Sequence, residues 1–96
     1  MIKVLLNQLV WNDWNIEHIK KHSLTPKQVE ESILKVVTYK KGYNNRLILI
    51  GRSGNRIIST ILSRKSGGKY YVVTARDADK KERRKIYEKE KNNSKI

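Results

Sequence analysis

From Val36 onward the apolar residues change their spacing from three and four to two. That shift separates a helical region from a region of strands. The alternating stretches "VVTYK", "RLILIG", "RIISTILSR" and "KYYVVTAR" read as four strands. The breaks "KGYNN", "RSGN" and "KSGGK" are short and hold Gly or Asn, so they predict hairpins and an antiparallel meander. Gly51 and Gly54 read as turn glycines. In the third strand Ile58, Thr60 and Leu62 point one way, and Ile57, Ser59 and Ile61 the other. Both faces are partly apolar, which predicts a central strand with one face under the helices. In the last strand Val72, Thr74 and Arg76 should share a face, with Val73 and Ala75 opposite.

The helices carry their own start signals. A short apolar entry predicts an extra strand ending near Trp11, and Asn12 or Asp13 can cap a helix reaching about His22. Trp14, His18 and His22 then share one face. In "LTPKQVEES", Thr25 fits an N-cap, Pro26 the first helical position and Gln28 the far side of a capping box. Leu24 and Val29 take the staple positions, and Val29, Ile33 and Val36 face the core. Asp79 and Glu82 repeat the capping-box spacing before a helix to about Lys91, followed by a frayed tail over 92–96. That last helix has a thin apolar stripe of Ile86, Tyr87 and arginine stems, too little to dock by burial alone. The expected class is α+β in one domain: two N-terminal helices, a C-terminal helix and a four-stranded antiparallel sheet with a possible N-terminal fifth strand.

Charge changes the picture from fold to partner. Twenty-two Lys and Arg face nine Asp and Glu in 96 residues, a formal net charge of +13. A small basic domain attracts polyanions, nucleic acid above all, with a salt-sensitive pull that reads no sequence by itself. Cysteine is absent, which removes disulfides and thiolate chemistry. No apolar run approaches the ~20 residues of a membrane span, and no secretory leader pattern opens the chain. A cytoplasmic protein with neither cofactor nor membrane partner is expected.

Candidate chemistry is sparse. His18 and His22 have the spacing of helical metal ligands, but in "HIKKH" two lysines adjoin them and no third ligand is evident, so no metal is expected. Either ring can simply pack or cap; His22, near a helix C-terminus, can also serve as an acid or a phosphate contact. No Ser/His/Asp set and no carboxylate pair stands out. Arg46, Arg52, Arg56, Arg64, Arg76, Arg83 and Arg84 form the stronger constellation. Arg76 ends a strand and Arg83 starts a helix, so both can hold one phosphodiester, with Tyr87 four residues on. The alternative is that Arg83 and Arg84 pair with Glu82 or Glu88 on a wet surface.

The stretches "WNDWNIEHIKKH", "RLILIG" and "ARDADKKERRKIYE", in that order, resemble the BrnT family of type II toxins. The resemblance implies a RelE-like α+β fold, a metal-independent endoribonuclease that inhibits translation, and a cognate antitoxin. That antitoxin is usually a ribbon-helix-helix protein, and operator DNA is reached only through it. Carried over by position, the resemblance implies catalytic roles for Lys21, His22, Arg46, Arg76, Arg83 and Tyr87. Arg52, Arg56, Arg84 and Lys80 are the expected RNA contacts around them. Two positions depart from the family pattern: His18 stands where Asn is common, and Ser23 where Gly is common. The other readings are a nucleic-acid-binding module without catalysis and an inactive toxin that retains antitoxin binding.

Overall fold

A computed structural model describes residues 3–93. Strands β1 (Leu9–Val10), β2 (Val36–Lys41), β3 (Arg46–Ser53), β4 (Arg56–Lys65) and β5 (Lys69–Asp77) form one mixed sheet in the order β1-β5-β4-β3-β2. The hairpin meander from β2 to β5 is antiparallel, as the short breaks imply. The apolar entry adds the fifth strand: β1 runs parallel to β5, with Leu9 opposite Tyr70 and Val10 opposite Tyr71. Helices α1 (Asp13–Lys20), α2 (Pro26–Leu34) and α3 (Lys80–Asn93) complete an α+β fold. Of the tail expected over 92–96, the first two positions belong to α3, and 94–96 lie outside the described residues.

Both capping boxes read from the sequence form, and the expected cap at Asn12 proves to be a third. Asn12 accepts from the Asn15 amide, and the Asn15 side chain accepts in return from the Asn12 amide. Buried Asn15 also donates to the Val10 carbonyl at 2.9 Å, tying α1 to β1. Thr25 and Gln28 exchange the same pair of bonds at α2, as do Asp79 and Glu82 at α3. Each satisfies backbone donors that a helix start otherwise leaves orphaned.

The end of α1 differs from expectation. The helix stops at Lys20, and His22 lies in the turn beyond it. Ser23 donates to the Lys20 carbonyl at 2.9 Å and Leu24 to that of Ile19 at 3.1 Å, a Schellman closure. Ser23 therefore sits at φ 58°, in the left-handed region. Buried Ile19 and Leu24 both belong to the main core cluster, and the contact expected beside such a closure fixes the chain reversal there.

Helices cover both faces of the sheet rather than one. Ile19, Leu24, Val29 and Ile33 of the α1–α2 layer pack with Leu47, Leu49, Ile58, Leu62, Val72 and Ala75. On the opposite face Ala78 and Ile86 pack on Ile50 and Ile57. The alternation predicted for β4 holds, with Ile58 and Leu62 toward the first layer and Ile57 toward the second. In β5 it breaks. Ile61 pairs with Thr74 but Leu62 with Val72, so Val73 is the extra residue of a bulge. Val72 consequently joins Ala75 in the α1–α2 core, while Thr74 and Arg76 lie opposite Ile61 and Ser59 on the other face.

Gly51 is not a turn residue. It lies inside β3, and a Cβ there would stand 2.0 Å from the Ser32 carbonyl oxygen and 2.8 Å from that of Lys35. The glycine lets the last turn of α2 meet the strand backbone directly. Gly54, at φ 59°, is a turn glycine as expected.

Two opposite changes test this account. Gly51→Ala should lower unfolding stability by at least about 2 kcal/mol, because backbone must move. Ser23→Gly should raise it by up to about 1 kcal/mol by relieving the left-handed strain. Denaturant titration of both variants measures the pair.

Candidate nucleic-acid interface

Helix α3 stands on the sheet through Glu82, whose side chain is 3 % exposed. Its carboxylate accepts from the Asp79 amide at 2.9 Å, from the Ser59 hydroxyl at 2.8 Å, and from both terminal nitrogens of Arg76 at 2.8 and 3.3 Å. Lys40 Nζ reaches in from β2 to 3.4 Å. Burial alone would push this carboxyl up. The bonds from Arg76, Asp79 and Ser59, with the charge of Arg76, more than reverse that and bring it down to about 2.

The same contacts decide the fate of the arginines. Arg76 is committed to Glu82 and to the Asp77 carbonyl. Arg56 grips Asp77 through two bonds at 3.0 and 3.1 Å, and donates to the carbonyls of Ser23 at 2.7 Å and His22 at 3.2 Å. It thereby satisfies exposed acceptors just past the end of α1. Arg52 holds Glu90, which this bond keeps below the ordinary carboxylate range. Among the described residues Arg46, Arg83, Arg84, Lys80 and Lys21 form no ion pair. The pairing of Arg83 or Arg84 with Glu82 or Glu88 does not occur; Glu82 turns inward to Arg76 instead.

Arg83 and Tyr87 share one side of α3 and stand between two shallow hollows. One, of about 290 Å³, has Asn55, Arg56, Ile57, Asp77 and Ala78 as its other walls. The second, about 330 Å³, is completed by Lys80 and Arg84. Tyr87 is 54 % exposed, so its ring face is open beside these cations. The hollows thus bring together Lys80, Arg83, Arg84, Tyr87 and Arg56. Through the bonds of Arg56 the carbonyl of His22 adjoins them, but the His22 ring does not form a wall of either. His18 and His22 lie with ring centroids 5.8 Å apart, and both residues are exposed, as is Lys21.

The resemblance gives Arg46, Arg76 and Arg83 catalytic roles together, but no single hollow joins them. Arg46 pairs across β3–β4 with Ser63, and Arg76 across β4–β5 with Ser59. Those partners put them about 13 Å apart along the strands and about 10 Å across. Arg46 lines a separate hollow with Lys41, Gly42, Asn45, Leu47, Arg64 and Tyr70, while Arg76 lines neither hollow beside Arg83. Sequence reasoning missed Asp77 as the clamp on Arg56. It read Glu82 as a capping residue or a surface partner of Arg83 or Arg84, and missed its buried pairing with Arg76. The signal available was Ser59 on the α3 face of β4 and Arg76 six residues before Glu82.

Acid should loosen this end of the molecule first. Because the Glu82 carboxyl is lowered from 4.5 to about 2, its contribution is fully present above pH about 4.5 and lost as pH falls toward 2. Roughly 3 kcal/mol rides on that window. Melting curves across it should show the slope in the parent chain and its loss in Glu82→Gln. Comparison of the chain with family models, curated proteins and solved structures finds no match in any of the three.

Proposed function

We propose that this chain is the toxin of a type II toxin–antitoxin pair, a metal-independent endoribonuclease that acts in the cytoplasm and inhibits translation. The observation that carries the nucleic-acid reading is the α3 surface. Lys80, Arg83 and Arg84 have no carboxylate partner among the described residues, and they flank an open tyrosine ring. Cations that no internal acid neutralises suit backbone phosphates, and the ring offers a base a stacking surface. The toxin assignment rests on the sequence resemblance described above, which also implies a ribbon-helix-helix antitoxin as partner.

Cleavage without a metal sends the ribose 2′-oxygen onto the adjacent phosphorus. A base removes the 2′-hydroxyl proton, cations stabilise the phosphorane, and an acid protonates the departing 5′-oxygen. In this proposal Arg83 binds the scissile phosphate, Tyr87 orients the neighbouring nucleotide, and His22 or Lys21 moves the proton. Arg76 acts as a positioning residue: through Glu82 it fixes where α3 stands on the sheet. Arg46 is too far along the sheet to join this centre.

One observation favours binding without cleavage. The charge of Arg76 is already paired with Glu82, and the same guanidinium donates to the Asp77 carbonyl, which leaves Arg83 as the arginine of the first hollow without an internal acid among the described residues. End-labelled RNA incubated with the purified chain in EDTA separates the two readings. Shortened products are expected, with His22→Ala slowing their formation about 10²–10⁴-fold. Retarded but intact RNA would establish the binding module instead.

A further inference from the structure

At the far end of the sheet from α3, the β2–β3 hairpin and the adjoining ends of β4 and β5 enclose a hollow of about 210 Å³. Three of its walls are cationic: Lys41, Arg46 and Arg64. The hairpin that presents them is well defined. Arg46 donates to the Tyr43 carbonyl at 3.1 Å, and Asn44 and Asn45 lie at φ 56° and 60°, which makes a type I′ turn. Gly42 donates to the Arg46 carbonyl at 2.8 Å, and the Asn45 carbonyl accepts from the Arg64 amide at 3.5 Å. The Arg64 guanidinium lies 5.9 Å from the centroid of the Tyr70 ring.

No acid among the described residues pairs with Lys41, Arg46 or Arg64. The sequence from Ser32 to Arg76 contains no Asp or Glu. Cations gathered in one concavity without a carboxylate repel one another, and a bound anion converts that repulsion into attraction. Two guanidinium forks, a lysine and the Asn45 side-chain amide offer a donor set suited to tetrahedral oxyanions.

We propose that Lys41, Arg46, Arg64 and Asn45 form a phosphate-binding subsite separate from the α3 surface. Its ligand is a phosphate group, carried by a nucleic-acid strand or free in solution. The subsite goes beyond the cleavage reading and does not depend on it, since occupancy can be read without turnover.

The test is an amide NMR titration of the full chain at constant ionic strength with chloride. The two probes are inorganic phosphate and a 2′-O-methyl oligonucleotide, which has no free 2′-hydroxyl and so resists cleavage by 2′-oxygen attack. Saturable shifts are expected at Gly42, Asn45, Arg46 and Arg64. Saturation by both probes assigns the site to the phosphate group itself; saturation by the oligonucleotide alone assigns it to the strand; saturation by inorganic phosphate alone assigns it to the free ion. The exposed double replacement Arg46→Gln with Arg64→Gln should weaken binding there at least about tenfold. Unaltered shifts at Arg83 and Arg84 would show that the α3 surface still responds. Absence of saturable shifts at the hairpin, or equal affinity in the double variant, overturns the subsite and leaves the cleavage proposal standing.

Discussion

One buried carboxylate decides how the terminal helix meets the sheet. Helix α3 buries Ile86 and little else that is apolar, and a single such side chain is worth only about 1.5–3 kcal/mol. Glu82 supplies the rest of the specification by gathering donors from its own cap, from the centre of β4 and from the end of β5. Buried ion pairs add little net stability against an apolar substitute, but losing one partner strands the other. Here the pair chiefly sets position. With Glu82 turned to the sheet, Arg83 and Tyr87 are rotated toward Asn55 and Arg56, and Lys81 and Lys85 toward Tyr39 and Lys40 on the other side. The outer surface of α3 is a by-product of that anchoring.

The arginines therefore fall into two populations that net charge cannot distinguish. Arg52, Arg56 and Arg76 each hold an acid: Arg52 and Arg56 stitch distant parts of the chain together, and Arg76 joins the end of β5 to the start of α3. Arg46, Arg64, Arg83 and Arg84 hold none among the described residues and lie in two groups at different ends of the sheet. The net charge thus hides how the unpaired cations are divided over the surface. An extended polyanion could touch both groups at once, whereas a compact one could touch either alone.

What could be read in the sequence was what depends on near neighbours. Capping boxes join residues three apart, so Thr25 with Gln28 and Asp79 with Glu82 were visible without coordinates. The faces of β4 followed from an unbroken alternation. Features set by partners far along the chain were hidden. Gly51 answers to carbonyls of α2, and the break in β5 answers to the pairing with β4. The site suffered most. Strand end and helix start do converge near Arg76 and Arg83, but Arg46 sits at the opposite end of its strand from that meeting point. The register of β3 against β4 is what separates them.

The extra residue in β5 has a consequence for how this chain can vary. Before Val73 one parity of the strand serves the α1–α2 core, and after it the other parity does, so each half is locked to its own layer. Removing or adding one residue between Val72 and Ala75 would rotate Arg76 into the apolar interior or expel Val72 from it. Amino-acid replacement is open to the exposed positions of this strand, but a change in its length is not. Descendants of this sequence should therefore keep a fixed spacing between the two ends of β5 even where the residues themselves drift.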